Sequence, residues 1–341
     1  MANTSPLAST SRLPAGGPTA SPELLTLYEL QRPFVEPLLQ WCRLTNTAFD
    51  ILFYDVGVLA SALLAKGLIV DTTVPANASA RHPLASLDLT AQTNPSGCVI
   101  VVDASLAPFV RKPFLEMKEF FDYANGEDGK ALHTLTVTGV GSSAFGSVAL
   151  AWDISKALGE PVAAIVPGYG LADIVPQALG GWFEFEMYDR LQSATQEMLA
   201  IFLPSLAMMG KELALRTPSR QMSATGAPIF RYGSAASDDV HAILQAVPGI
   251  LRVVGHSKGA LAIENALRSL TPERTKDISV RTLGCVISEA VPCRDYFQYL
   301  GRIDFIGIIN SWTNPPEHRP FAHHSTNTLI PLSMAAADCA K

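Results

Sequence analysis

The chain has 341 residues, 48% hydrophobic and 16% charged, enough to bury one large core. Its net charge of −6, with no cluster of lysines and arginines, argues against a nucleic-acid partner and for a neutral or apolar ligand. The five cysteines are scattered, without the spacing of a zinc site or a disulfide framework. Residues 1–22, rich in Ser, Thr, Pro, Ala and Gly, have neither a basic start nor an apolar run, so a disordered tail and a cytoplasmic location are expected. Helical patterns dominate from Pro22 to Lys66. The most apolar stretch, Ile51 to Val70, carries Asp55 and Lys66 and follows Asp50, which predicts a buried helix and no transmembrane segment.

A loop containing Pro and Asn leads to Val99-Ile100-Val101-Val102, a short β-branched run, and residues 23–131 read as a flank of the core. From Leu132 the patterns alternate. Leu135 to Thr138 reads as strand, Val148 to Leu158 as helix and Pro161 to Val166 as strand; Asp239 to Val247 reads as helix, Leu251 to Val254 as strand and Ala260 to Leu270 as helix. Val280 to Ser288 and Phe305 to Asn310 complete the predicted strands. The alternation predicts an α/β fold over residues 23–341, a mostly parallel sheet flanked by helices, with functional loops at the C-terminal ends of the strands. About seventy residues separate Gly168 from Asp238, too many for a simple connection, so residues 168–238 are predicted to form a helical cap insertion. Its Trp182, Phe183, Phe185 and Met208 offer apolar surface either to line an acyl pocket or to pack the cap onto the core.

Gly255-His256-Ser257-Lys258-Gly259 stands between the predicted strand ending at Val254 and the predicted helix from Ala260. A strand turning straight into a helix strains the middle residue, and a β-carbon at either flanking glycine would clash; this is the context a nucleophile elbow requires. The Ser257 hydroxyl would then sit at a helix N-terminus, where the dipole and outward amides favour the negative charge of acyl transfer. A serine nucleophile needs a histidine from a loop after the last strand. Of the seven histidines, His82, His133, His241 and His256 fall too early or inside the elbow, which leaves His318, His323 and His324.

At these residues the chain resembles the class 3 (fungal-type) lipases, and more distantly the α/β-hydrolase superfamily. Gly255 to Ala262 is similar to that family's elbow, Thr282-Leu283-Gly284 to its following Thr-Phe-Gly strand, and Phe321-Ala322-His323-His324-Ser325 to its aromatic-x-His-x-Ser segment. The resemblance implies an α/β-hydrolase fold with a cap, an esterase or lipase activity, and His323 as the base, with His324 second. It departs at the acid: the family's aspartate slot is occupied here by Asn314, which orients an imidazole without stabilising its charge. Glu289, at the end of the strand after the elbow helix, is preferred; Asn314 is the alternative, and Asp295 and Glu317 are further choices. For the oxyanion, one amide is expected from Lys258 and another from the loop Gly139 to Ser143, with Ser142 or Ser143 matching the family's hydroxyl residue. The Lys258 side chain is expected either in solvent or on an anionic substrate group.

The stretch Gly139 to Ala144 also fits G-x-G-x-x-A, but the next strand ends in Pro167-Gly168-Tyr169 rather than an acidic residue, which argues against a dinucleotide. Glu317, His318, His323 and His324 match no common metal spacing. The expected activity is thus serine-dependent hydrolysis of a small-molecule or lipid ester, without cofactor or metal. A thioesterase or acyltransferase using the same serine, or a hydrolase fold reduced to a scaffold, is the alternative.

Overall fold

The computed structural model describes residues 50–65, 98–105, 110–114, 116–139, 142–167, 221–222, 228–229, 235–287, 290–311 and 316–341. The expected N-terminal tail and nearly all of the expected cap, with Trp182, Phe183, Phe185 and Met208, lie outside them.

A seven-stranded mixed sheet organises these residues in the order β2-β1-β4-β3-β7-β8-β9. Its strands are β1 (Val99–Val102), β2 (Val110–Phe114), β3 (Thr134–Val137), β4 (Val162–Ile165), β7 (Arg252–His256), β8 (Ser279–Leu283) and β9 (Asp295–Tyr299). A separate antiparallel pair joins β5 (Gln221–Met222) to β6 (Pro228–Ile229). β4, β3, β7, β8 and β9 are mutually parallel, whereas β1 runs antiparallel to both β4 and β2. β2 contains Pro113, which donates no ladder hydrogen bond, and it lies at the sheet's edge, where such a residue is tolerated. The result is an α/β architecture, mostly parallel, as the alternating pattern predicts.

Side chains alternate across the sheet with the period of two that a pleated strand imposes. Val99, Val101, Leu135, Val137, Ala163, Ile165, Val253 and Val280 face one core, shared with α2 (Met117–Ala124), α4 (Ala235–Ala246) and α5 (Lys258–Arg268). Ile100, Val102, Val162, Ala164, Val254 and Leu283 face the other, shared with α1 (Val56–Ala65), α3 (Ala144–Leu158) and α8 (Ala336–Cys339). α3 has local start and stop signals. The Ser143 hydroxyl accepts the Phe145 and Gly146 amides at its N-terminus, and Gly159, at φ 69°, closes it in a left-handed cap. The apolar stretch from Ile51 is only partly inside: Val56 and Leu59 are buried, but Ile51 and Leu52 are 54% and 49% exposed. No helix among the described residues is long and apolar enough to cross a membrane.

Two sequence-based expectations are corrected. Phe305–Asn310, which comes after the short helix α6 (Pro272–Thr275), is a helix, α7, not a strand. A six-residue apolar run has no readable period, and Asp304 settles the matter by accepting the Gly307 amide at 2.6 Å, as an N-cap does. The last strand is instead β9, Asp-Tyr-Phe-Gln-Tyr; beyond it His318 makes a single parallel bridge to Tyr299. The strand expected to run to Ser288 ends at Leu283, because Gly284 turns the chain at φ 68°.

One buried acid makes stability depend on pH. Asp153 on α3 is 8% exposed, and burial, followed by the charge of Asp55, pushes its pKa up to about 9. A raised folded-state pKa means that the native chain keeps a proton the unfolded chain loses. This contribution is whole below about pH 4 and is lost as pH climbs towards 9. Asp153→Asn is therefore expected to gain on the wild type by a few kcal/mol between pH 5 and pH 9, read as urea midpoints. A difference that does not change with pH would contradict it.

Candidate active site

Because β3, β7, β8 and β9 are parallel and in register, their C-terminal ends bring four connections to one edge of the sheet. The turn from β7 into α5 puts Ser257 there at φ 54° and ψ −126°, a conformation that costs a non-glycine residue about 1–3 kcal/mol. The turn is held from both sides: the Ser257 amide donates to the Leu283 carbonyl at 2.7 Å, and the Ala260 amide to the Ser257 carbonyl at 3.0 Å. A methyl group at Gly255 would lie 2.7 Å from the Ala260 backbone, and one at Gly259 would overlap the Val137 carbonyl oxygen. The Ser257 side chain makes no cap hydrogen bond to its own helix.

The histidine brought to this edge is His324. It is 6% exposed, its ring centroid lies 4.9 Å from that of His256, and a side chain at Gly284 would come within 2.8 Å of it. Its Nδ1–H donates to both carboxylate oxygens of Asp304, at 2.9 and 3.0 Å. Asp304 is fully buried and sits in the connection after β9. Nδ1 being the donor, Nε2 is left as the ring's acceptor, the form a general base must take.

His323, expected as the base, is committed elsewhere. Its Nε2 donates to the Pro331 carbonyl at 3.0 Å and its Nδ1 accepts the Ser325 amide at 3.1 Å. The two adjacent rings go to different partners, Pro331 and Ser325 for His323 and Asp304 for His324, so the one-residue choice between them decides which one meets the elbow. Glu289 and Asn314, expected as the acid, lie outside the described residues, and the carboxylate found beside the histidine is Asp304. Asp295 starts β9 at the far end of the sheet, where it pairs with Arg281 and accepts from Ser279. Glu317 is exposed on the loop after α7.

Ser142 and Ser143 do not offer oxyanion amides. The Ser142 amide donates to the Gly139 carbonyl at 3.1 Å and the Ser143 amide to Asp50 Oδ2 at 2.7 Å. The Ser142 hydroxyl also goes to Asp50, at 2.6 Å, and the Ser143 hydroxyl caps α3. Asp50, 2% exposed, is thus the anchor of this loop, and burial pushes its pKa up to about 7. Lys258 opens α5, at the end where backbone amides point out of a helix. Its side chain is not in open solvent: burial pushes its pKa down to about 8, beside the buried Cys285 thiol.

A second network ties these parts together. The Gly139 amide donates to the Tyr54 hydroxyl at 2.9 Å, the hydroxyl meets His256 Nδ1 at 2.9 Å, and His256 Nε2 meets the His324 carbonyl at 2.9 Å. A carbonyl only accepts, so His256 Nε2 carries the proton and Nδ1 accepts from Tyr54. Burial, then the neighbouring His324, pushes the His256 pKa down to about 3, which keeps the ring neutral. Burial and the charge of Asp50 push the Tyr54 phenol up, so it remains a donor. The chain before and after Tyr54 holds the histidine loop. The carbonyls of Ile51, Leu52 and Phe53 accept from Asn327, Ser325 and Thr326, and Asp55 accepts from Thr328.

Asp304 and Tyr54 were not singled out from the sequence, Asp50 was read only as a charge before an apolar stretch, and His256 only as an elbow residue set aside as the base. For Asp304 a signal existed: an aspartate directly before an apolar run is a candidate helix N-cap. Asp50 and Tyr54 carry no local signal, because their partners lie far along the chain. Comparison with protein-family models, with curated proteins and with solved structures found no match.

Proposed function

We propose that the chain is a serine hydrolase of α/β-hydrolase fold that cleaves carboxylic esters through an acyl-enzyme. The observation that carries this reading is the strained turn at Ser257 and, at the same edge of the sheet, an imidazole 4.9 Å from the ring of the adjoining His256 whose Nδ1–H is held by a buried carboxylate. The chain order Ser257, Asp304, His324 is that of the α/β-hydrolases, and the nucleophile follows a central parallel strand, as it does there. Ser257 Oγ attacks the ester carbonyl while His324 Nε2 takes its proton, and Asp304 stabilises the resulting imidazolium. The proton passes to the departing alcohol. Water, activated by the same nitrogen, then releases the acid. The Lys258 amide supplies one oxyanion donor. An apolar acyl group suits the surroundings, since Phe305 and Ile306, which follow Asp304 directly, are 76% and 42% exposed. A carboxylate on the ring at Asp304 supports this reading over the scaffold alternative, whose ground was an asparagine in the acid's slot.

A fluorophosphonate probe tests the reading. The wild type is expected to be labelled at Ser257, and Ser257→Ala is expected to lose both the label and the turnover of a short-chain aryl ester. A wild type that resists the probe, or an alanine variant labelled equally well, would overturn it.

A further inference from the structure

We infer that Tyr54 is a positioning residue of this site, whose hydroxyl holds the loop after β3, the nucleophile elbow and the backbone of His324 in one fixed relation. This rests on the reading of Ser257 and His324 as nucleophile and base. Tyr54 lies 202 residues before His256 and is 3% exposed, with its ring edge-on to the His256 imidazole at 5.2 Å. Packing alone would be met by phenylalanine. The hydroxyl does something packing does not, because it is the middle member of an ordered relay from Gly139 through His256 to the carbonyl of His324.

The direction of that relay is fixed at both ends. Gly139 N–H can only donate and the His324 carbonyl can only accept, so every proton between them has one place. Removing the hydroxyl leaves a backbone donor and a buried ring acceptor unpaired, and the neutral His256 ring becomes free to flip or to change tautomer. Either change acts on both ends of the reacting pair. His256 is covalently joined to Ser257, and its Nε2–H fixes the carbonyl of His324. Gly139 is also close: a methyl group built on it would lie 3.5 Å from Ser257 Cβ. The hydroxyl acts on the reacting pair through its placement of these ring and backbone atoms, so the loss is expected in the chemical step rather than in substrate binding.

Tyr54→Phe is therefore expected to lower kcat for a short-chain aryl ester by about 10- to 100-fold with KM within about twofold. If Tyr54 acts through His256, the double variant with His256→Asn is expected within about threefold of the weaker single variant. Wild-type activity in Tyr54→Phe, a change confined to KM, or losses that multiply in the double variant would overturn the inference. A direct readout needs neither turnover nor the variants. Nitrogen-15 NMR of the wild type at pH 7 is expected to show His256 protonated at Nε2 and bare at Nδ1, and a ring protonated at Nδ1, or charged, would overturn the relay. Should the wild type hydrolyse no ester and resist the fluorophosphonate, the hydrolase reading falls, and the NMR spectrum still decides whether the relay exists.

Discussion

Replacing His324 by alanine is expected to lower kcat/KM for a short-chain aryl ester by about 10⁴-fold, whereas His323→Ala leaves it within about threefold. The two residues are adjacent and both carry an imidazole, so the contrast isolates placement from chemistry. His323 has both ring nitrogens bound within its own loop, to Pro331 and Ser325, and its loss removes two surface hydrogen bonds. His324 has one nitrogen given to Asp304, and in the proposed mechanism the other takes the proton of Ser257. Asp304→Asn keeps the shape of the acid but lets an amide N–H face the ring, which favours the wrong tautomer and removes the charge that stabilises the imidazolium. A loss of about 10³- to 10⁴-fold in kcat is expected, with KM little changed. Measuring the three variants by steady-state kinetics, with circular dichroism as a check on folding, decides the assignment. If His323→Ala is the damaging change, the pairing of His324 with Asp304 is structural and the site must be rebuilt around its neighbour.

What could be read from the sequence was what is local. Gly255 to Gly259 between an apolar run and a helical pattern fixes the elbow, since the strain and both glycine requirements arise within five residues. The alternation from Leu132 onward likewise gives the mostly parallel sheet, because β3, β4, β7 and β8 each present a buried run of four or five residues. The acid was not legible. Reading Phe305–Asn310 as a strand removed Asp304 from view as the residue before it, and β9, with every residue half-buried, lacks the clean alternation that marks a strand. The choice between His323 and His324 turns on the phase of an irregular loop, which no periodicity reports. Asp50 and Tyr54 bind Ser142 and Gly139 across 92 and 85 residues, and contacts of that range leave no trace in spacing.

The second large effect is expected from a single methyl group. Gly259→Ala should destabilise the chain by about 3 kcal/mol and abolish labelling of Ser257, whereas Gly249→Ala should stay within about 0.5 kcal/mol of the wild type. Helix propensity argues the other way, since alanine is favoured over glycine inside a helix by about 1 kcal/mol, so the steric term must exceed that to win. It does so because of what the methyl would meet. At position 259 it overlaps the carbonyl oxygen of Val137 and lies 2.5 Å from that of Thr138, both backbone atoms at the end of β3, which β4 and β7 hold on either side. Neither oxygen can rotate away as a side chain would, so α5 has to lift off the sheet. Lifting it stretches the 2.7 Å bond from the Ser257 amide to Leu283 and displaces the Lys258 amide, so the loss of stability and the loss of the nucleophile share one cause. At Gly249 the nearest atom is 3.8 Å away, an ordinary contact. Urea midpoints of the two variants measure the difference directly. Equal midpoints, or a labelled Gly259→Ala, would mean that α5 does not press against the end of β3, and the strained turn at Ser257 would lose its steric origin.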